Sequence, residues 1–155
     1  MTSIGETSVV ATSIVATSVI TAFSYILSRI KSDNYREPVL LADFLEKSVQ
    51  TNKQTALSLG WIIHYGVGFL FGFLYEPVSK KHVDRSSPGK GVIFGLLAGA
   101  VAVLGWSVLF RSHPDKPKIN HPLFFKQLVI SHIIFGMVYA GLYNRYKKYQ
   151  NEITW

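Results

Sequence analysis

The chain has 155 residues, of which 48% are hydrophobic, and its 16 lysine and arginine residues outnumber its 9 acidic residues to give a formal net charge of +7 at pH 7. Only 16% of the residues are charged, against about 25% in soluble domains, and the lack of cysteine excludes disulfides, thiolate metal ligands and a cysteine nucleophile. The basic residues flank the apolar runs and form no single cluster, so the composition favours anionic lipid head groups as partners and argues against nucleic acid.

Four long apolar runs predict four transmembrane helices, at about 7–29, 55–76, 91–110 and 123–143. About 20 residues of helix cross a hydrocarbon core of about 30 Å. Only helices and closed barrels satisfy their backbone hydrogen bonds in lipid, and these runs lack the alternation of barrel strands. We therefore expect an all-α fold, an integral membrane four-helix bundle that forms a single domain over 1–155 and has the lipid bilayer as its main partner.

The first run carries a stripe of hydroxyl side chains at steps of three and four residues, which places them on one helix face. One interpretation is a packing face, because small residues let helices approach and their hydroxyls bond to the preceding turn. The other is that the stripe lines a polar cavity or supplies hydrogen-bond partners to buried histidines. This hydroxyl stripe consists of Ser13, Thr17, Thr21, Ser24 and Ser28.

The linker after the first run contains a short amphipathic helix, predicted at about 38–49. Pro38 opens it, as is usual at a first helical position, and Leu40, Leu41, Phe44 and Leu45 share one face. We expect this helix either to lie on the membrane surface or to cap the bundle.

The next two runs are separated by a polar loop, predicted at 78–90. Pro77 predicts the end of the second helix at residue 76, since proline cannot continue the hydrogen-bond ladder. In the third helix Gly91, Gly95 and Gly99 recur every four residues. Such a ridge predicts close contact with a neighbouring helix.

The second and fourth helices carry copies of one motif, which begins at His64 and at His132. In each copy a histidine, a glycine and two aromatic residues follow at steps of four, three and four, which places them on one face. The duplication predicts two helix pairs related by an axis along the membrane normal, so that the second and fourth helices run in the same direction. The two faces consist of His64, Gly68, Phe71 and Tyr75 in the first copy and of His132, Gly136, Tyr139 and Tyr143 in the second.

Both histidines follow nine residues after the predicted start of their helix, which is about 14 Å along the axis. We therefore expect the two rings at one level near the middle of the bilayer, as a buried pair inside the bundle. A neutral imidazole still needs a donor and an acceptor contact, and a buried polar group without partners costs several kcal/mol. Thr17 reaches a comparable depth on the first helix and is the first candidate for a hydrogen-bond partner, with Ser131, Tyr65 and Tyr139 as alternatives.

Three functions fit this pattern. The first is a structural or accessory membrane protein of unknown molecular function, whose histidine pair packs the bundle. The second is a redox subunit in which His64 and His132 are the axial ligands of a b-type haem, with Gly68 and Gly136 clearing space for the macrocycle. The third is a small proton-linked carrier or channel.

An enzyme is the least favoured class, because no residue pattern indicates a catalytic group or a metal site. No cofactor is predicted except haem b in the second alternative. A second copy of the chain or a partner membrane subunit is a further candidate partner, together with the anionic lipid head groups at the basic loops.

Two motifs carry a resemblance to a known family. Gly60-Trp-Ile-Ile-His-Tyr-Gly-Val-Gly68 and Ser131-His-Ile-Ile-Phe-Gly-Met-Val-Tyr-Ala-Gly-Leu-Tyr143 resemble the paired motifs of an uncharacterised family of small bacterial four-helix inner-membrane proteins, which share a domain of unknown function. The resemblance implies a multi-pass protein of the bacterial inner membrane. It implies no particular activity.

Overall fold

The computed structural model describes residues 4–80 and 88–153, and this part of the chain is helical with no strand. The described helices are α1 (Ile4–Lys31), α2 (Glu37–Ser48), α3 (Lys53–Lys80), α4 (Pro88–Ser112) and α5 (His121–Ile153). Four of them, α1, α3, α4 and α5, are long and apolar enough to cross a membrane. The predicted all-α membrane bundle is confirmed, and the chain is a multi-pass membrane protein.

Two of the predicted boundaries are wrong. α3 continues through Pro77 to Lys80, because a proline in the last turn removes a single backbone bond where the helix is about to end. α5 runs ten residues past 143, through a tyrosine-rich and basic stretch. Within it, Nζ of Lys148 lies 3.8 Å from Oε1 of Glu152, one helical turn further on. Of the predicted loop at 78–90, both ends are helical and residues 81–87 lie outside the described residues.

Small residues bring the long helices together in two antiparallel pairs. Thr17 of α1 packs directly against Gly68 of α3, and Ser13 packs against Gly72 one turn further on. In the second pair the backbones of α4 and α5 touch at Gly91 and Gly136. No larger residue fits at these crossings, which confirms the predicted role of the glycine ridge in close helix contact.

The two pairs meet through aromatic side chains of α3 and α5. The ring centroids of Phe71 and His132 are 5.7 Å apart, and those of Tyr75 and Tyr139 are 5.1 Å apart. Because residues later in α3 contact residues later in α5, the two helices run in the same direction, as predicted. α1 also packs along α5, whereas α3 and α4 make only sparse contacts. The bundle is therefore open between α3 and α4.

α2 closes one end of this opening. It buries Glu37, Pro38, Leu40 and Phe44, and its backbone lies against Gly60 of α3. The other side of the helix reaches α4 and α5 through an aromatic cluster. The ring centroid of Phe44 lies 5.5 Å from that of Phe110 and 6.2 Å from that of Trp106, both on α4. The Trp106 ring in turn lies 5.0 Å from the ring of Phe124 on α5. Of the two predicted positions for this helix, the cap of the bundle is the one observed.

The glycine crossing of α4 and α5 yields a stability prediction. A Cβ added at Gly136 would run into the backbone of Gly91 and Gly95, whereas one added at Gly141 would meet no atom within 4 Å. We expect Gly136→Ala to lower the free energy of unfolding in mild detergent by about 1–3 kcal/mol, the usual effect of overpacking. Gly141→Ala, on the same helix, is the control and should leave it unchanged or raise it by up to about 1 kcal/mol, because alanine favours a helix interior. Equal stability of the two variants would contradict the close backbone contact.

Candidate ligand cavity

A cavity of about 570 Å³ lies in the opening between α3 and α4. Its lining is mostly apolar, and the polar side chains in it are Thr17, Glu37, His64 and His132. Several of the apolar lining residues are also exposed at the outer surface of the bundle, on the faces of α3 and α4 that would meet acyl chains. The cavity therefore opens sideways, towards the hydrocarbon phase. These rim residues are Ile63, Val67, Leu70, Leu74, Val101 and Leu109.

His64 is 9% exposed and bonds to α1. Its Nε2 atom lies 2.8 Å from Oγ1 of Thr21, and that hydroxyl already donates its one proton to the backbone oxygen of Thr17, at 2.7 Å. The hydroxyl can only accept from the ring, so Nε2 of His64 carries the proton and donates it. In a neutral ring the other nitrogen, Nδ1, is then an acceptor.

The predicted partner Thr17 is therefore wrong for His64, and the partner is Thr21, one turn along α1. The physical reason is the contact between Thr17 and Gly68, which holds the Thr17 side chain against the backbone of α3. Its Oγ1 atom is buried and has no hydrogen-bond partner within the described residues. Thr17 lines the cavity all the same.

His132 is 8% exposed and bonds to its own helix. Its Nδ1 atom lies 2.8 Å from the backbone oxygen of Leu128. A carbonyl oxygen only accepts, so Nδ1 carries the proton, and in a neutral ring Nε2 is the acceptor. The two cavity histidines thus have opposite tautomers, and each keeps a lone pair on the ring nitrogen that does not bond to Thr21 or Leu128.

The repeat predicts that the two histidine rings lie at one level, but in the structure they do not. Phe71 pairs with Phe135 and Tyr75 with Tyr139, so His132 is level with Gly68, and the rings are offset by about one turn, on the order of 6 Å. The register is set by aromatic contacts, in which Tyr75 lies between Tyr139 and Tyr143. The superposed repeats would instead place Tyr75 beside Tyr143 alone. Side-chain packing between unlike residues has shifted one copy of the motif along the other.

The predicted motif faces divide between the cavity and the packing above it. Gly68 and Phe71 line the cavity together with the histidines. The remaining members, Tyr75, Gly136, Tyr139 and Tyr143, are outside its lining. They belong to a stacked aromatic cluster and to the crossing of α4 and α5.

Glu37 is the cavity residue that sequence reasoning did not identify. It is 4% exposed, and its Oε1 atom accepts a hydrogen bond of 2.8 Å from Nε2 of Gln127, which also donates to Ser131. Its Oε2 atom has no hydrogen-bond partner within 4–80 and 88–153. Burial raises the pKa of this carboxyl, because the cost of desolvating the charge outweighs the bond from Gln127. A glutamate before a proline in a polar linker gives no signal of such burial.

The hydroxyl stripe of α1 serves mainly to pack and to satisfy its own helix. Thr21, Ser24 and Ser28 donate to the backbone oxygens of Thr17, Thr21 and Ser24, at 2.7, 2.9 and 2.7 Å. Ser28 also accepts from the backbone N–H of Tyr35, at 2.9 Å. The protons of these hydroxyls are committed to carbonyl groups, as the packing interpretation predicts. The second interpretation is also confirmed in part, because Thr21 accepts a hydrogen bond from His64 and Thr17 lines the cavity.

No known protein family, curated protein or solved structure matches this chain. Within residues 4–80 and 88–153 no group of three or more histidine, aspartate and glutamate side chains is arranged to hold a metal ion.

The opposite tautomers of His64 and His132 are testable by ¹⁵N NMR of histidine-labelled protein in nanodiscs. We expect one ring protonated at Nε2 and one at Nδ1. Thr21→Val removes the acceptor of the His64 proton and should shift only the Nε2-protonated ring, while unfolding free energy falls by about 1–3 kcal/mol. Thr12→Val, at a buried threonine of α1 that does not line the cavity, should leave both rings unchanged. Two rings with the same tautomer would refute the assignment.

The buried carboxyl of Glu37 predicts a pH-dependent stability. Because its pKa is raised in the folded state, the folded protein keeps this proton at pH values where the unfolded chain has lost it. The free energy of unfolding should therefore fall as the pH rises above the ordinary glutamate pKa and level off beyond the folded-state pKa. Glu37→Gln, which keeps the shape but cannot ionise, should flatten this slope in thermal unfolding from pH 4 to pH 9. Glu46→Gln, on the same helix outside the cavity, should retain it.

Proposed function

We propose that the protein is a small, non-catalytic membrane protein that binds a lipid-soluble molecule in the cavity between α3 and α4. The observation that carries this proposal is the sideways opening of a largely apolar cavity, on whose inner wall Oγ1 of Thr17 and Oε2 of Glu37 have no hydrogen-bond partner among the described residues. A ligand would enter from the hydrocarbon phase, with its apolar part at the rim and its polar group at the wall.

The size and composition of the cavity support a small-molecule site. Ligand pockets usually have volumes of about 300–1,000 Å³, with mostly apolar walls and a few polar groups that orient the ligand. The value of about 570 Å³ lies in this range. A void of this size in an otherwise packed bundle forfeits many dispersion contacts, and an occupant would restore them.

The polar wall favours an uncharged head group. Among the described residues none of those that line the cavity is a lysine or an arginine, so a buried carboxylate or phosphate would have no counter-charge. Glu37 would add repulsion if it were ionised. A neutral ligand that forms hydrogen bonds meets neither penalty.

The two other functions predicted from the sequence are less well supported by this geometry. Axial haem ligands must face each other across one iron atom, whereas His64 and His132 are offset along the bundle and the Nε2 atom of His64 bonds to Thr21. A proton-linked carrier would need hydroxyl groups free to relay protons, and those of Thr21, Ser24 and Ser28 donate to backbone oxygens.

The setting of the protein is part of the proposal. The resemblance of the paired motifs supports a location in the bacterial inner membrane. Beyond Tyr143 the basic residues Arg145, Lys147 and Lys148 suit anionic lipid head groups, and Nζ of Lys147 lies 5.9 Å from the centre of the Tyr143 ring. Association with a second copy or with a partner subunit stays a prediction.

The site can be tested with a long-chain alkanol that carries a photoreactive diazirine, supplied to the protein in nanodiscs. Gly105 lines the cavity, and a Cβ built there meets no atom within 4 Å, so the side chain of Gly105→Leu should occupy part of the cavity and narrow it for a ligand. We expect labelling of cavity peptides to fall to near background in this variant, as measured by mass spectrometry.

Gly66→Leu is the matched control, since a Cβ at Gly66 also meets no atom within 4 Å but the residue does not line the cavity. Its labelling should equal that of the wild type. Labelling that is unaffected by Gly105→Leu would overturn the proposed function.

A further inference from the structure

We propose that the ligand is a quinol, an aromatic ring with hydroxyl groups at opposite ends and an apolar tail, bound in its reduced form between His64 and His132. This inference rests on the proposed function and specifies the chemistry of its ligand. Only binding is proposed, with no electron transfer.

The hydrogen-bond assignments determine what the two histidines require. Nε2 of His64 donates to Thr21 and Nδ1 of His132 donates to Leu128. The remaining nitrogen of each neutral ring is an acceptor, so each histidine can take a hydrogen bond from a donor on the ligand. A ligand with two hydroxyl groups supplies two such donors, whereas a quinone, an ester or a ketone supplies none.

The offset of the two histidines sets the distance between those donors. His132 is level with Gly68, about one turn or on the order of 6 Å beyond His64 along the parallel helices, because Phe71 pairs with Phe135 and Tyr75 with Tyr139. The hydroxyl groups at opposite ends of one aromatic ring are a comparable distance apart, so each can reach one of the two histidines through a hydrogen bond of about 2.8 Å. A single hydroxyl group would bond to one histidine and leave the acceptor nitrogen of the other unused.

The other walls of the cavity suit the same ring. Phe71, Trp106 and Phe135 line it and offer aromatic faces and edges for stacking. Glu37 lies towards the His64 end, because it bonds to Gln127, five residues before His132. As a neutral acid its unpartnered Oε2 can donate to the hydroxyl oxygen that itself donates to His64. The tail then leaves through the apolar rim.

The test compares the two oxidation states of one probe on the wild-type protein. Decylubiquinol and decylubiquinone are titrated separately into purified protein in nanodiscs, under anaerobic conditions, with binding measured by calorimetry. We expect the quinol to bind more tightly by about fivefold for each hydrogen bond that the quinone cannot donate, or about 25-fold in total. This comparison needs no mutation, so it does not depend on the folding of a variant.

Variants then assign the difference to the two rings. His64→Leu and His132→Leu should each weaken quinol binding about fivefold and leave quinone binding unchanged. His113→Leu, at a histidine outside the cavity, should alter neither affinity. 4-Decylphenol, which has a single hydroxyl group, should bind about fivefold more weakly than the quinol.

Two results would overturn the inference. The first is that quinol and quinone bind with equal affinity, or that neither binds, while Gly105→Leu still abolishes labelling by the photoreactive alkanol. In that case the cavity holds a different ligand, and the proposed function stands. The other is 4-decylphenol binding as tightly as the quinol, which would mean that a single imidazole takes part. If Gly105→Leu leaves labelling intact, the proposed function itself fails.

Discussion

Close contact between helix backbones is the constraint on which the rest of the structure depends. Lipid supplies no hydrophobic drive for helices to associate, so the bundle relies on dense packing at small residues. Thr17 against Gly68 joins α1 to α3, and Gly91 against Gly136 joins α4 to α5. Both crossings draw one helix towards its partner, and α3 and α4 are left apart. The cavity is the space that results from this choice of partners.

The cavity remains polar at one end because α2 carries a carboxyl group into the bundle. Leu40 and Phe44 anchor the helix in the apolar interior, and Glu37 enters beside them with a hydrogen bond from Gln127. A buried polar atom without a partner is costly and is rarely retained without a use. Together with two histidines of opposite tautomer, this carboxyl group is the feature that distinguishes a ligand site from a packing defect.

The general architecture could be predicted from the sequence because length and hydropathy determine which segments cross a membrane. The direction of α3 relative to α5 also followed from the repeated motif. The level of His132 relative to His64 could not be predicted from the motif, because it depends on how Phe71 and Tyr75 interleave with the aromatic residues of α5. The burial of Glu37 was equally hidden, since a charged residue in a polar linker has no periodic pattern that would reveal contact with a residue 90 positions away. Thr17 was expected to bond to His64 because of its depth in the helix. It packs against Gly68 instead, and His64 bonds to Thr21.

The place of α2 in the chain has a consequence for biosynthesis. The helix is made before α4 and α5, yet its partners Trp106, Phe110 and Phe124 belong to these later segments, as does the amide that holds Glu37. When α1 and α3 leave the translocation machinery, only the side of the α2 binding site that α3 provides is in place. The site is complete only after the last span has been inserted, so the burial of the carboxyl group is one of the final steps of assembly.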